Sequence, residues 1–294
     1  MEMSNPFLDL ADTGKNAWWR YVLGVLLVLM MWMIGTVIII TPVTLQIVNE
    51  ASPFGLALAL LTFAPMLLGP MLVTRWLHGR PVATLVGSER SLNWRRIGVG
   101  ALLWLVLAGL ATLVDALLRP EQYMLNLAFF QNLPLLLVGL LLIPLQTSAE
   151  EVFFRGYLLQ ATGRLTRNGL VLSVINGVVF TLPHLANPEA ESNAVLAGLN
   201  WFVFGFFVTI ITLRSGSLDY ALGIHAVNNL FGLIIAGYEG GALPALALFV
   251  ASELDAAYAL LSLLVAALAA SLFLNRLERV PGVPTASRRE QRYG

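Results

Sequence analysis

The residues of this chain that could do chemistry are few, and they come late. Glu150 and Glu151 are adjacent, and Arg155 follows the second by four positions. Phe180 and His184 are four apart, and so are His225 and Asn229. On a helix, positions i and i+4 share one face. Glu151 and Arg155 therefore read as a mutually neutralising pair, with the acid on the N-terminal side as such pairs prefer. Glu150 is rotated about 100° from Glu151, which leaves it free of that pair. A carboxylate beside an imidazole can hold a water and take its proton. His and Asn side chains can donate to the oxyanion of a tetrahedral intermediate. The chain has no cysteine, which excludes thiolate catalysis, disulfides and Cys-ligated zinc. No serine–histidine signature stands out, so attack of activated water on an amide is the natural chemistry. Glu150, His184 and His225 could instead ligate zinc. The sequence contains no H-E-x-x-H, so the usual helix-borne zinc site is absent.

These groups sit in a chain whose solvent is lipid. Of 294 residues, 58% are hydrophobic and 12% charged, whereas soluble domains run near 25% charged. A transmembrane helix needs about 20 mostly apolar residues. Eight runs qualify: 18–48, 54–77, 97–118, 131–160, 168–186, 194–214, 217–237 and 243–274. The expected fold is an all-α polytopic bundle. Only Ser215 and Gly216 separate the sixth and seventh runs, so that turn must be tight. Three parts follow: helices 1–3 with a basic loop (1–130), a core carrying the polar residues (131–240), and a last helix with a basic tail (241–294). With the N-terminus inside, just one of the 17 Lys and Arg residues, Arg119, falls on the outer side. That bias predicts an even number of spans and cytoplasmic termini.

An ionisable residue within a span is costly and is by default a functional candidate. At 1.5 Å per residue, Glu150 lies about 21 Å from Arg164, His184 about 24 Å from Asn168, and His225 about 12 Å from Ser217. One cluster from three helices is compatible with those depths. Other features have plain readings. Trp18, Trp19, Trp76 and Trp94 fit an aromatic belt. His78, beside Arg75 and Arg80, reads as interfacial. Ser192, Ala197, Gly198 and Gly205 offer small surfaces for close helix contact. The loop 75–96 and the basic tail suit anionic lipid headgroups. A formal net charge of zero gives no argument for nucleic acid. The first apolar run is too long for a signal-peptide core.

E-E-x-x-x-R, F-x-x-x-H and H-x-x-x-N, in that order on late membrane helices, resemble the CPBP family of CAAX proteases and bacteriocin-processing enzymes, also called the Abi family. The resemblance implies an intramembrane endopeptidase. Its substrate would be a membrane-borne peptide or lipidated protein, of prenylated CAAX or bacteriocin type. It implies that Glu150 activates water with help from His184, and that His225 and Asn229 form the oxyanion site. Glu151, Arg155 and Phe180 would support them. A metal-free route is favoured, because Asn229 is a poor zinc ligand, with zinc as the alternative. The implied location is the plasma membrane of a prokaryote. Two other functions compete: a catalytically silent membrane protein that binds peptides as an immunity or scaffold factor, and a proton-coupled transporter. A transporter should carry inverted repeats or paired broken helices, and none is evident.

Overall fold

Short polar side chains start the helices by satisfying their free N–H groups. In the computed structural model, which describes residues 5–89 and 91–279, Asn5 caps a short helix α1 (Pro6–Asp9) and accepts from the N–H groups of Phe7 and Leu8. A 27-residue helix α2 (Trp18–Thr44) follows. Ser52 caps α3 (Pro53–Leu61), with Pro53 at its first position. The chain breaks at Thr62, resumes as α4 (Phe63–Leu72) and widens into a π-turn, Val73–Leu77. Asn93 caps α5 (Trp94–Leu118). Helix α6 (Leu133–Glu151) passes into a second π-turn, Val152–Leu158, and ends as α7 (Leu159–Thr162). Asn168 caps α8 (Gly169–His184). Then come α9 (Glu189–Ser215), α10 (Asp219–Ile234) and α11 (Ala256–Arg279).

The protein is an all-α membrane bundle. Six of its helical stretches are long and apolar enough to cross a membrane among the described residues. The fifth and seventh expected spans are 16-residue helices, α8 and α10, about 24 Å long. The turn before α10 is as tight as its length demanded: Gly216 adopts φ 71°, a left-handed conformation that glycine takes without a Cβ clash.

The start of the eighth run differs from the sequence reading, and that of the sixth agrees with it. Residues 243–255 are not helical. Strand β1 (Tyr123–Leu125) pairs antiparallel with β3 (Phe249–Ala251), and β2 (Ala236–Tyr238) pairs parallel with β3. Asp255 then starts α11 by accepting from Ala257 and Tyr258. Helix α9 carries a non-helical residue, Asn193 (φ −158°, ψ 89°), whose side chain caps Leu196; the regular helix begins just beyond it.

Helix ends meet on one face of the bundle. Lys15 bonds to His78, Asn93 to Asp219, and Arg96 to Glu278. The interfacial reading of His78 does not hold. His78 is 1% exposed and Arg80 fully buried, because the chain after α4 folds back under the helix ends instead of lying on lipid. His78 bonds Tyr157 (2.9 Å) and Arg80 bonds Gln160 (2.6 Å). Trp18, Trp76 and Trp94 are about three-quarters exposed, as a belt requires. Of the small residues, Gly205 packs against Gly177 and Phe180, whereas Ser192 is exposed. Arg90 and the basic tail fall outside the described residues.

Candidate active site

Helix α6 ends on both glutamates, and both are buried. Glu151 Oε1 accepts from Arg155 (3.0 Å) and from His225 Nδ1 (2.7 Å). Arg155 is fully buried, reaches the carbonyl of Gly205 (3.4 Å), and lies 4.3 Å over the Phe180 ring. The guanidinium thus meets a carboxylate on one side and an aromatic face on the other, an arrangement that suits a planar cation.

Glu150 makes no pair with Arg155. Its Oε1 accepts from Gln146 Nε2 (2.7 Å), and its Oε2 lies 3.4 Å from His225 Nε2. That Oε2 is buried with no hydrogen-bond partner. The His225 imidazole therefore stands between the two glutamates, one nitrogen to each. Turning by about 100° along the helix did not send Glu150 to a separate surface. It sent the two carboxylates to opposite edges of one ring.

His225 and Asn229 lie one turn apart on α10. Asn229 Nδ2 donates to Gln146 Oε1 (3.0 Å), which ties α10 to α6 beside Glu150. His184 is the last residue of α8. Its Nδ1 bonds the Phe180 carbonyl of its own helix (2.7 Å), leaving Nε2 as the nitrogen free for other work. Its ring lies 4.4 Å from Phe180 and 5.6 Å from Trp201. Phe180 also lies 6.0 Å from His225, so one ring borders both imidazoles and Arg155. Gly205 makes this possible: a Cβ there would come within 3.1 Å of Phe180.

Glu150, His225, Gln146 and Asn229 are in one contact set, and His184 joins it through Phe180. Gln146 carries no charge to mark it in the sequence, although it stands four before Glu150, the spacing that also separates Glu151 from Arg155. The π-turn had no sequence signal either; such turns recur at functional sites. Among the described residues, no group of three or more His, Asp or Glu could hold a metal ion.

Residues 129–231 match the family model described as type II CAAX prenyl endopeptidase Rce1-like. A Bacillus subtilis (strain 168) protein, described as "Uncharacterized protein YyaK", is 36% identical over 232 residues, covering 74% of this chain and 78% of that one. The chain belongs to the Rce1-like family. It is thus a multi-pass membrane protein of the CAAX protease type. The family match begins just before α6 and ends within α10, enclosing both glutamates and both histidines. No solved structure matches.

Proposed function

We propose that this Rce1-like protein hydrolyses a peptide bond of a membrane-borne substrate, prenylated CAAX or bacteriocin in type, using water activated by Glu150. One observation carries the reading: Glu150 is fixed through Oε1, while its buried Oε2 has no hydrogen-bond partner and faces an imidazole at 3.4 Å. Oε2 takes a proton from water as the water oxygen bonds to the carbonyl carbon. His184, through its free Nε2, holds that water from the other side. The second N–H of Asn229 donates to the oxyanion, with the His225 ring beside it. Collapse breaks the C–N bond, and the proton held by Glu150 passes to the leaving amine. Glu151 holds His225 by its Nδ1, and Arg155 holds Glu151.

The route favoured is glutamate-type, because the Asn229 carboxamide is a poor zinc ligand and a good oxyanion donor. The chain crosses the membrane eight times, in the plasma membrane of a prokaryote. The basic helix-end face is cytoplasmic, on the charge bias of the loops.

The test is cleavage by purified protein in lipid vesicles, of a farnesylated CAAX peptide and of a membrane-presented peptide library. Glu150→Gln, which keeps the shape but cannot take the proton, is expected to abolish cleavage with the fold intact. Full activity in that variant would end the assignment. Stoichiometric zinc in the same sample, with activity lost to a chelator and restored by zinc, would replace the route with a metal-dependent one.

A further inference from the structure

Five side chains from three helices form one directed line of hydrogen bonds that ends on Glu150. Trp104 Nε1 donates to Asn228 Oδ1 (3.0 Å), and Asn228 Nδ2 donates to Asn229 Oδ1 (3.1 Å). Asn229 Nδ2 donates to Gln146 Oε1 (3.0 Å), and Gln146 Nε2 donates to Glu150 Oε1 (2.7 Å). The two ends set the polarity. An indole N–H can only donate, and a carboxylate can only accept. Between such ends each of the three carboxamides has one orientation, because flipping any of them sets like against like on both sides. The shortest of the four bonds is the one made to the carboxylate, as a charge-assisted bond should be. Aligned bonds of this kind polarise one another, most strongly where the dielectric is low; here that is the buried Gln146–Glu150 end, while Asn228 is exposed.

The fold takes care to complete the line. Helices α5 and α10 approach closely because two glycines face the opposite backbone. A Cβ on Gly223 would stand 2.1 Å from the Ile97 carbonyl, and one on Gly100 would stand 2.8 Å from that of Tyr220. Trp104 lies one turn beyond Gly100, stacked at 5.5 Å on Phe207 and 3% exposed. That packing holds its N–H toward Asn228.

We propose that Trp104, Asn228 and Gln146 are positioning residues that together choose the reacting atoms of Glu150 and Asn229. The proposal rests on the reading of Glu150 as the base. Gln146 occupies Oε1, so Oε2 is the oxygen that meets water. Asn228 pulls on Asn229 Oδ1 while Gln146 takes one Nδ2 proton. The amide plane is thereby fixed, and the second proton is left for the oxyanion. Trp104 has no hydrogen bond to Glu150, Glu151, His184 or His225 among the described residues, so its N–H acts only along the line.

The experiment has a spectroscopic arm that needs no turnover. In protein carrying ¹⁵N-tryptophan, in lipid nanodiscs, Trp104→Phe assigns the Trp104 indole resonance. Glu150→Gln replaces the terminal carboxylate with a neutral acceptor, and Gln146→Leu cuts the line. Both are expected to move the indole proton upfield. Should Gln146→Leu fail to fold, Glu150→Gln carries this arm alone. An indole resonance unmoved by the variants that fold overturns the proposal. In the kinetic arm, with the farnesylated peptide, Trp104→Phe keeps the stacked ring and loses only the donor. It should lower kcat about three- to tenfold with KM unchanged. Adding Trp104→Phe to Gln146→Leu should cost nothing more, since the line is already cut; losses that multiply overturn the proposal. If Glu150→Gln still cleaves while the indole resonance moves, the base assignment fails and the line stands.

Discussion

Two buried polar clusters hang from the stretch Leu133–Thr162, and they balance charge differently. The first joins Glu150 and Glu151 to Arg155 and His225, so acids and bases alternate within salt-bridge distance. The second, on the order of 15 Å along the helix, joins Tyr157 and Gln160 to His78 and Arg80. Arg80 has no carboxylate within salt-bridge distance among the described residues; both clusters bury polar atoms without partners, Glu150 Oε2, Glu151 Oε2 and Arg155 Nε in the first and Arg80 Nε and Nη2 in the second. Burial holds both His78 and Arg80 below their ordinary pKa values. The first cluster keeps opposed charges in a fixed geometry, which is what chemistry needs. The second ties a returning loop under the helix ends and tolerates an unbalanced cation. Burial of an ionisable group is thus not by itself a sign of catalysis; the pairing of charges separates the two.

The largest effect should come from breaking a pair. Arg155→Met leaves Glu151 buried without its cation and is expected to lower stability by about 3–5 kcal/mol, read as unfolding by denaturant in detergent. Arg80→Met removes a cation that has no counter-charge. It should cost less than about 1 kcal/mol or stabilise, and equal damage from both variants would erase the contrast. Next in size is the oxyanion donor. Asn229→Ala should slow cleavage by about 10²–10³, with a smaller loss of stability, about 1–2 kcal/mol, from its bonds to Gln146 and Asn228. Its counterpart, Tyr157→Phe, removes the bond to His78. The expected cost is about 1 kcal/mol, with kcat untouched, so a kinetic defect there would make the second cluster part of the machinery. The smallest effect is with pH. An unfolded imidazole binds a proton near pH 6.5, while folded His78 does so only at lower pH. The unfolded state therefore binds more protons as pH falls through that value, and stability should decline. His78→Phe should flatten this part of the stability–pH curve.

The spacing of four that singled out three pairs of residues was legible because helical geometry is local. Glu151 meets Arg155 and His184 sits on Phe180 for that reason alone. That His225 would stand between both glutamates was not legible, since it depends on how α10 is rotated against α6. Gln146 carries no charge, so a search for ionisable groups passes over it. The apolar run Leu243–Val250 reads alike for strand and helix at that length; pairing with β1 and β2 decides it. His78 and Arg80 looked exposed because they lie just beyond an apolar stretch. Their burial depends on a contact far along the chain, where Gly156 admits the turn at Leu85: a Cβ on Gly156 would stand 2.8 Å from the Leu85 carbonyl.

The π-turn Val152–Leu158 holds slack between the two clusters. A turn of this kind takes up a residue more than the α-helix it interrupts. Deleting one residue within it would leave no gap, since ordinary helix can close over the loss. What lies downstream would nearly keep its phase, and Tyr157 and Gln160 would still face His78 and Arg80. A residue deleted from the regular turns of α6 meets no such slack and would turn the helix beyond it by about 100° against the rest. One codon lost from the π-turn should therefore do less harm than one lost from the middle of α6, and growth of a deletion series that depends on cleavage would show the difference.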